Sequence, residues 1–161
     1  MLHSNAALQW VTNHDRLIPG LGDMVTEGGA LAAQLPANKD SPLHNSLRKV
    51  AEATPFRSYT SGCDKLLTYH SAGYYYDLLC EFAREVDLWE TTYYHEMASP
   101  RDLIEWYKST GMKPYLQHLP NDRMKKTFEE DILDDCRKYY PLQKNRMVLY
   151  PFKRLFFIAY K

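Results

Sequence analysis

The first part of the chain alternates between helical and strand patterns of apolar residues. Residues 14–25 carry apolar side chains at a helical period, and the nearly continuous apolar run of residues 30–35 predicts a buried strand. The pair Gly28-Gly29 precedes that strand, whereas a nucleotide-binding glycine loop follows a strand and opens a helix. We therefore expect this pair to form a turn.

The middle of the chain predicts two further helices and a strand. Ser41 followed by Pro42 predicts a helix start, because serine caps helices and proline is favoured at the first helical position. Residues 54–73 are rich in Ser, Thr, Gly and Pro and predict a long loop or a partly mobile segment. Residues 74–85 predict an amphipathic helix that leads into a β-branched and aromatic strand over residues 86–95.

The last third of the chain predicts two helices and a final strand. Ser99-Pro100 predicts the start of a helix that ends at Gly111, and residues 121–139 predict a second one. Residues 155–160 are almost continuously apolar, as in a strand buried on both faces. Strands and helices alternate in this order, which predicts an α/β fold with a mainly parallel sheet.

The chain opens on the end of a strand. Residues 1–3 form its tail, and residues 4–6 predict the turn that leaves it. A domain rarely begins in this way, so we expect a further segment upstream. Asn38, just after the strand of residues 30–35, is expected at the carboxyl edge of the sheet, where open α/β sheets bind ligands.

Charge and cysteine content narrow the classes of function. The 20 basic and 20 acidic residues are dispersed and cancel, so no signature of nucleic-acid binding is present. Cys63, Cys80 and Cys136 are widely spaced and odd in number, which favours a reduced cytosolic setting over a disulfide framework or zinc site. No apolar run approaches a membrane span, so we expect a cytoplasmic protein without a membrane partner.

The acidic residues of the 121–139 helix raise the question of a metal site. They lie along one helix with no histidine partner, so we interpret them as a solvated surface. We expect no metal.

Three motifs carry a resemblance to a known family. Residues 86–95 (Val-Asp-Leu-Trp-Glu-Thr-Thr-Tyr-Tyr-His) end in side chains able to hydrogen-bond an anion. Together with residues 4–10 (Ser-Asn-Ala-Ala-Leu-Gln-Trp) and 151–156 (Pro-Phe-Lys-Arg-Leu-Phe), this stretch resembles the trans-aconitate methyltransferases. Those enzymes use S-adenosylmethionine to esterify a carboxylate of a small polyacid. The resemblance covers nearly the whole chain, is weakest at about residues 53–73, and corresponds to the C-terminal part of such an enzyme.

The resemblance implies a fold. Residues 1–161 would form the C-terminal part of a single methyltransferase domain, with a Rossmann-like, mainly parallel sheet whose last strand runs antiparallel. Residues 97–150 would be a helical substrate cap. The N-terminal half that grips the cofactor would be absent, since no Gly-rich loop follows a strand in this sequence.

The resemblance also implies a site. One side of an S-adenosylmethionine pocket would comprise Ser4, Asn5, Ala6, Gln9 and Trp10. The small polycarboxylate substrate would be bound by Trp89, Tyr93, Tyr94, His95, Trp106 and Arg154. No catalytic residue is expected, because a carboxylate is already ionised at pH 7 and needs alignment and exclusion of water instead of a base.

The residues taken alone leave other interpretations open. Trp10 could belong to the core, Arg154 could be a surface residue beside Lys153, and the Tyr-Tyr-His run could simply end an exposed strand. Lys153 stands where the family commonly has proline, and Lys113 stands where it commonly has arginine. Lysine keeps the charge of arginine but loses its bidentate geometry, which leaves the acid substrate less well defined.

Two functions of different classes follow. The first is a fragment of a carboxylate O-methyltransferase, whose activity as this chain alone is in doubt because the cofactor motif is missing. The alternative is a catalytically incomplete relic that acts as a binding or assembly module. Such a module would expose an unpaired sheet edge and would self-associate through it.

Overall fold

The structure, a computed structural model, describes residues 1–68 and 70–161. Tyr69, which falls in the loop expected over residues 54–73, lies outside the described residues. The described chain forms two compact units. The first comprises Met1–Ala37, Leu67–Tyr93 apart from Tyr69, and Phe152–Lys161, and the second comprises Asn38–Leu66 and Tyr94–Pro151.

The elements alternate between strands and helices. The strands are β1 (Leu2–Asn5), β2 (Ala30–Pro36), β3 (Glu85–Met97) and β4 (Val148–Tyr160). The α-helices are α1 (His14–Asp23), α2 (Pro42–Ala51), α3 (Arg57–Thr60), α4 (Ala72–Cys80), α5 (Pro100–Lys108), α6 (Lys113–His118) and α7 (Asp122–Cys136). Short 3-10 helices occur at Leu8–Trp10, Cys63–Leu66 and Arg137–Tyr139.

The strands form one mixed sheet in the order β1-β2-β4-β3. Strand β1 pairs with β2 in parallel, with Asn5 opposite Gln34. Strand β4 pairs with β2 antiparallel, with Ala30 opposite Tyr160 and Pro36 opposite Arg154. The prediction of an α/β fold whose last strand runs antiparallel is confirmed.

Contacts between β3 and β4 show their relative direction. The N–H of Arg84, just before β3, donates to the carbonyl of Tyr160 near the end of β4 at 2.9 Å. Further along β3, Trp89 stacks on Phe156, which comes earlier in β4. The partner positions run in opposite directions, so β3 is antiparallel to β4 and points the same way as β1 and β2.

The core of the first unit lies between one face of the sheet and the helices α1 and α4. The helices pack against each other because each presents an apolar stripe. The buried core residues are Leu8, Ile18, Val25, Leu31, Ala33, Leu35, Tyr75, Leu79, Leu155, Phe157 and Ala159.

The second unit is largely helical. Helix α2 packs against α7, α5 against α7, and α3 against α6. At the centre, the rings of Phe56 and Phe128 meet edge to face with centroids 5.0 Å apart, an arrangement that aromatic quadrupoles favour. Both side chains are fully buried.

Capping residues explain where the main helices begin. The side chains of Ser41, Ser99 and Asn121 each accept a hydrogen bond from a backbone N–H in the first turn of α2, α5 and α7. These bonds satisfy donors that a helix start leaves without partners. The helix starts predicted at Ser41-Pro42 and Ser99-Pro100 are confirmed.

Two sequence predictions need correction. The loop expected over residues 54–73 contains α3 and the 3-10 helix Cys63–Leu66. Three helices, α5, α6 and α7, stand between β3 and β4 where two were expected. The elements that were not predicted are α3, α6 and the 3-10 helix Cys63–Leu66, which are too short to show a helical period in the sequence and are stabilised by tertiary packing. Within the described part of the chain, no helix has the length and apolar character needed to span a membrane.

Candidate functional site

The turn after β1 begins two residues later than expected. Ser4 and Asn5 belong to the strand, where Ser4 lies opposite Ala33. The turn starts at Ala6, which has a φ of 51°. A left-handed conformation is unfavourable for a residue with a side chain, and a hydrogen bond of 2.9 Å from the Ala6 N–H to the Gln34 carbonyl holds it in place.

The 3-10 helix that follows positions Gln9 and Trp10. Gln9 is buried, and its Nε2 donates to the carbonyl of Ala6 at 2.7 Å. Its Oε1 is also buried and has no hydrogen-bond partner among the described residues. Trp10 is 48% exposed, so the interpretation that places it in the core is wrong.

His14, at the start of α1, contacts the backbone of the 3-10 helix Leu8–Trp10 and the residue after it. Its side chain is buried, with Nε2 at 3.0 Å from the Leu8 carbonyl and 3.1 Å from the Val11 carbonyl. Carbonyls only accept, so Nε2 carries the proton in the neutral ring, and Nδ1 accepts from the hydroxyl of Tyr75 at 2.7 Å. This histidine therefore ties the 3-10 helix to α4, which carries Tyr75.

Arg154 is held by a buried amide on the neighbouring strand. Its Nη1 donates to Oε1 of Gln34 at 2.8 Å. Arg154 is half-buried, and its guanidinium carbon lies 4.9 Å from the ring centre of Phe152 and 5.7 Å from that of Tyr93. Aromatic faces attract a cation, so these contacts add to the fixed orientation of Arg154.

The charge of Arg154 has no carboxylate partner in the described chain. Among residues 1–68 and 70–161, no Asp or Glu oxygen comes within ion-pair distance of its guanidinium. The neighbouring Lys153 differs, because its Nζ lies 3.2 Å from Oε2 of Glu90 on β3. Of the two neighbouring basic residues of β4, Lys153 therefore has an acidic partner among the described residues and Arg154 has none.

Trp89 lies on the same pair of strands. Its ring stacks on that of Phe156 with centroids 5.3 Å apart and an interplanar angle of 8°. The other part of its surface is exposed, as is that of Tyr93. The two side chains present aromatic surface next to β4.

The remaining predicted substrate residues belong to the second unit. The ring of His95 lies 5.8 Å from that of Trp106, which in turn meets the ring of Tyr150 at 5.5 Å. Tyr94 is 68% exposed. These contacts bring His95 and Trp106 together within this unit.

Asn38, expected at the carboxyl edge of β2, is also found in the second unit. It is buried, and its Nδ2 donates to the hydroxyl of Tyr150 at 3.3 Å. Burial raises the pKa of that hydroxyl above its ordinary value, so Tyr150 stays protonated. The Oδ1 atom of Asn38 is buried without a hydrogen-bond partner in the described chain.

Lys113, the other departure from the family pattern, is an exposed residue at the start of α6. It lines an open cleft of about 650 Å³ with Arg101, Lys108 and Glu129, among other charged residues. In that cleft, Lys108 is paired with Glu129 at 3.2 Å. The positive charge of Lys108 is thus neutralised by an acidic residue of the same cleft.

The structure brings together part of the predicted substrate set. Arg154 and Tyr93 are in contact in the first unit, and His95 and Trp106 are in contact in the second. Sequence reasoning missed Gln34, which orients Arg154. The available signal was an amide side chain inside an otherwise apolar strand. The ligand-binding roles of all these residues stay predictions.

Comparison with known proteins finds relatives that share a name. No protein-family model matches the chain. A trans-aconitate 2-methyltransferase of Yersinia pestis (strain Pestoides F) is 38% identical over 162 aligned residues, which cover 99% of this chain and 62% of that protein. The protein of the same name from Variovorax paradoxus (strain S110) is 37% identical and is covered to the same 62%.

The chain therefore spans somewhat less than two thirds of the length of these curated relatives. That coverage is consistent with the C-terminal part indicated by the sequence motifs. Over 99% of its length the chain is homologous to proteins named trans-aconitate 2-methyltransferase, which confirms the resemblance that its three motifs carry.

Proposed function

We propose that this chain is part of an S-adenosylmethionine-dependent methyltransferase that esterifies a carboxylate of a small polycarboxylic acid such as trans-aconitate. The observation that carries the proposal is Arg154. It is half-buried, oriented by Gln34, flanked by Tyr93 and without a carboxylate partner in the described chain. The name shared by the relatives supports the same reaction.

The residues at the end of β1 fit one side of a cofactor pocket. The Oε1 atom of Gln9 is a buried acceptor without a hydrogen-bond partner in the described chain. It could accept a hydrogen bond from an ammonium group of a ligand, since an ammonium group is a donor. The small side chain of Ala6 lets the backbone come close to a ligand. Ser4, Asn5 and Trp10 are the other residues that we assign to this side of the cofactor pocket. S-adenosylmethionine, when bound, would supply the methyl group.

Arg154 and its neighbours then have a defined task. A carboxylate is ionised at pH 7, so the acid needs no base to become nucleophilic. Arg154 grips a carboxylate distant from the reacting one, because a bidentate guanidinium on the reacting oxygens would lower their nucleophilicity. Tyr93 and Trp89 wall this region, and His95, Tyr94 and Trp106 are proposed as further contacts to the acid. Alignment and exclusion of water supply the rate enhancement.

The test compares Arg154→Ala with Lys153→Ala in the full-length product of the gene. Lys153 is the adjacent cation, and it already pairs with Glu90, so it serves as the matched control. We expect the affinity for trans-aconitate, measured by titration calorimetry, to fall by about tenfold or more in Arg154→Ala and to stay unchanged in Lys153→Ala. Methyl ester formation, followed by mass spectrometry, should fall in parallel. Equal effects of the two substitutions would refute the role of Arg154.

A second candidate function is an assembly module that self-associates through a sheet edge. Strand β1 lies at one edge of the sheet and is short, with His3 and Asn5 exposed. Unpaired edge groups favour pairing with another chain. This function predicts a dimer or larger species in light scattering, and a monomer at all accessible concentrations would rule it out.

A further inference from the structure

The hydrogen bond to Arg154 determines the orientation of the side-chain amide of Gln34. The residue is 7% exposed, and the amide oxygen Oε1 accepts from Nη1 of Arg154 at 2.8 Å. A guanidinium has donors but no acceptor, so the oxygen of the amide must face Arg154 and the nitrogen must face away from this bond.

The nitrogen of the same amide is a buried donor without a partner. Among the described residues, no atom accepts a hydrogen bond from Nε2 of Gln34. Buried N–H groups in folded proteins are nearly always satisfied, because an unsatisfied one loses its bonds to water and gains nothing in return. An apolar side chain of the same size would fill this position in β2 without that penalty. The bond to Arg154 accounts for Oε1 of this amide, and Nε2 is left for a partner outside the described residues.

The position of Gln34 indicates the kind of ligand. Gln34 lies on β2 opposite Asn5 of β1, and its backbone carbonyl holds Ala6 at the turn after β1. On its other side is the guanidinium of Arg154, which has N–H donors beyond the one used by Gln34. Donors from two adjacent side chains, one of them cationic, suit an anion with more than one acceptor oxygen.

We infer that Gln34 is a substrate-binding residue that acts with Arg154 on one carboxylate of the acid. Its Oε1 fixes the guanidinium, and its Nε2 donates to the carboxylate that the guanidinium grips. This inference rests on the proposed function, since it assigns a contact to the same acid. It makes Gln34 a determinant of acid specificity, because a ligand without a carboxylate at that place would leave Nε2 without a partner.

The test is Gln34→Glu, with Gln117→Glu as the matched control. Glutamate keeps the shape of glutamine, replaces the donor by an acceptor and pairs with Arg154, so it removes both attractions for a carboxylate. Gln117 is an exposed residue of α6. In the full-length protein we expect Gln34→Glu to weaken trans-aconitate binding by about tenfold or more. Affinity for S-adenosylmethionine should be unchanged, and both affinities should be unchanged in Gln117→Glu.

Gln34→Met provides a second variant in case the buried charge prevents folding. It keeps a long side chain without polar atoms, and it should weaken acid binding while leaving cofactor binding intact. Wild-type affinity for the acid in Gln34→Glu or Gln34→Met would overturn the inference and leave the proposed function standing. A loss of cofactor affinity instead of acid affinity would also overturn it, since Nε2 would then serve the cofactor. If the wild-type protein binds neither compound, the proposed function fails and the inference fails with it.

Discussion

At the scale of single residues, the informative features are buried polar groups and what satisfies them. In Gln9 and Gln34, one side-chain amide atom is hydrogen-bonded to a neighbouring residue. The other amide atom is buried and has no hydrogen-bond partner in the described chain. His14, by contrast, uses both of its ring nitrogens. The first two are the residues for which we propose ligand contacts, whereas His14 holds the segment that carries Gln9.

The structural task of His14 predicts a loss of stability on His14→Leu. The substitution leaves the Tyr75 hydroxyl and the Leu8 carbonyl, both in buried positions, without their bonds. We expect the free energy of unfolding, measured with urea, to fall by about 1–3 kcal/mol. The control is His3→Leu at an exposed position of β1, which should change it by less than about 0.5 kcal/mol. Equal changes in the two variants would contradict the assigned bonds.

The sequence indicates some of these residues and hides others. Arg154, Tyr93 and the turn near Ala6 could be found from the three motifs. Gln34 could not be assigned, since a side chain within a buried strand reveals its partner only when the register places it beside Arg154. His14 falls inside a helix pattern in which nothing marks contacts with Tyr75, 61 positions away.

At the scale of elements, β2 and the capped helices agree with the prediction, whereas the shortest helices and the first half of β4, which begins at Val148 and not at residue 155, do not. The strong apolar run of β2 and the capped starts of α2 and α5 follow from local chemistry. Helices α3 and α6 have four and six residues, too few for a period to be visible. Their stability comes from packing against each other in the second unit, which local sequence does not encode.

A buried histidine on α2 predicts a dependence of stability on pH. His44 is buried, and its Nδ1 lies 2.8 Å from the Tyr107 hydroxyl. Burial, and then the charges of Arg48 and Lys39, lower the pKa of His44 from 6.5 to about 4. Between these values the unfolded chain binds a proton that the folded chain does not bind. Stability is therefore complete above the unfolded pKa and falls as the pH decreases through this window, by about 3 kcal/mol in total.

The variant His44→Gln should remove this contribution. Urea unfolding at several pH values between 7 and 4 should show a smaller decrease of the unfolding free energy in His44→Gln than in the wild type. His3→Gln, at an exposed position, should retain the full decrease. An identical pH profile in His44→Gln and the wild type would show that His44 does not stay neutral in the folded protein.

At the scale of the whole molecule, the chain is an α/β protein with a mixed four-stranded sheet. Its first unit holds the end of β1, Gln34, Tyr93 and Arg154, and its second holds the helices α5 to α7. The relatives named trans-aconitate 2-methyltransferase are longer, since this chain spans 62% of their length. The proposed reaction would belong to a protein of that length, and we propose that this chain contributes the acid-binding residues to it.

The most direct test of this account follows the side chains of Gln34 and Arg154 by nitrogen-15 NMR during titration with trans-aconitate. The side-chain amide signal of Gln34 is assigned by its disappearance in Gln34→Glu. The account predicts that this signal and the guanidinium signal of Arg154 shift together and saturate with one dissociation constant, while the amide of Gln117 stays in place. If trans-aconitate leaves the Gln34 and Arg154 signals unmoved, these residues do not bind the acid and the central claim is wrong.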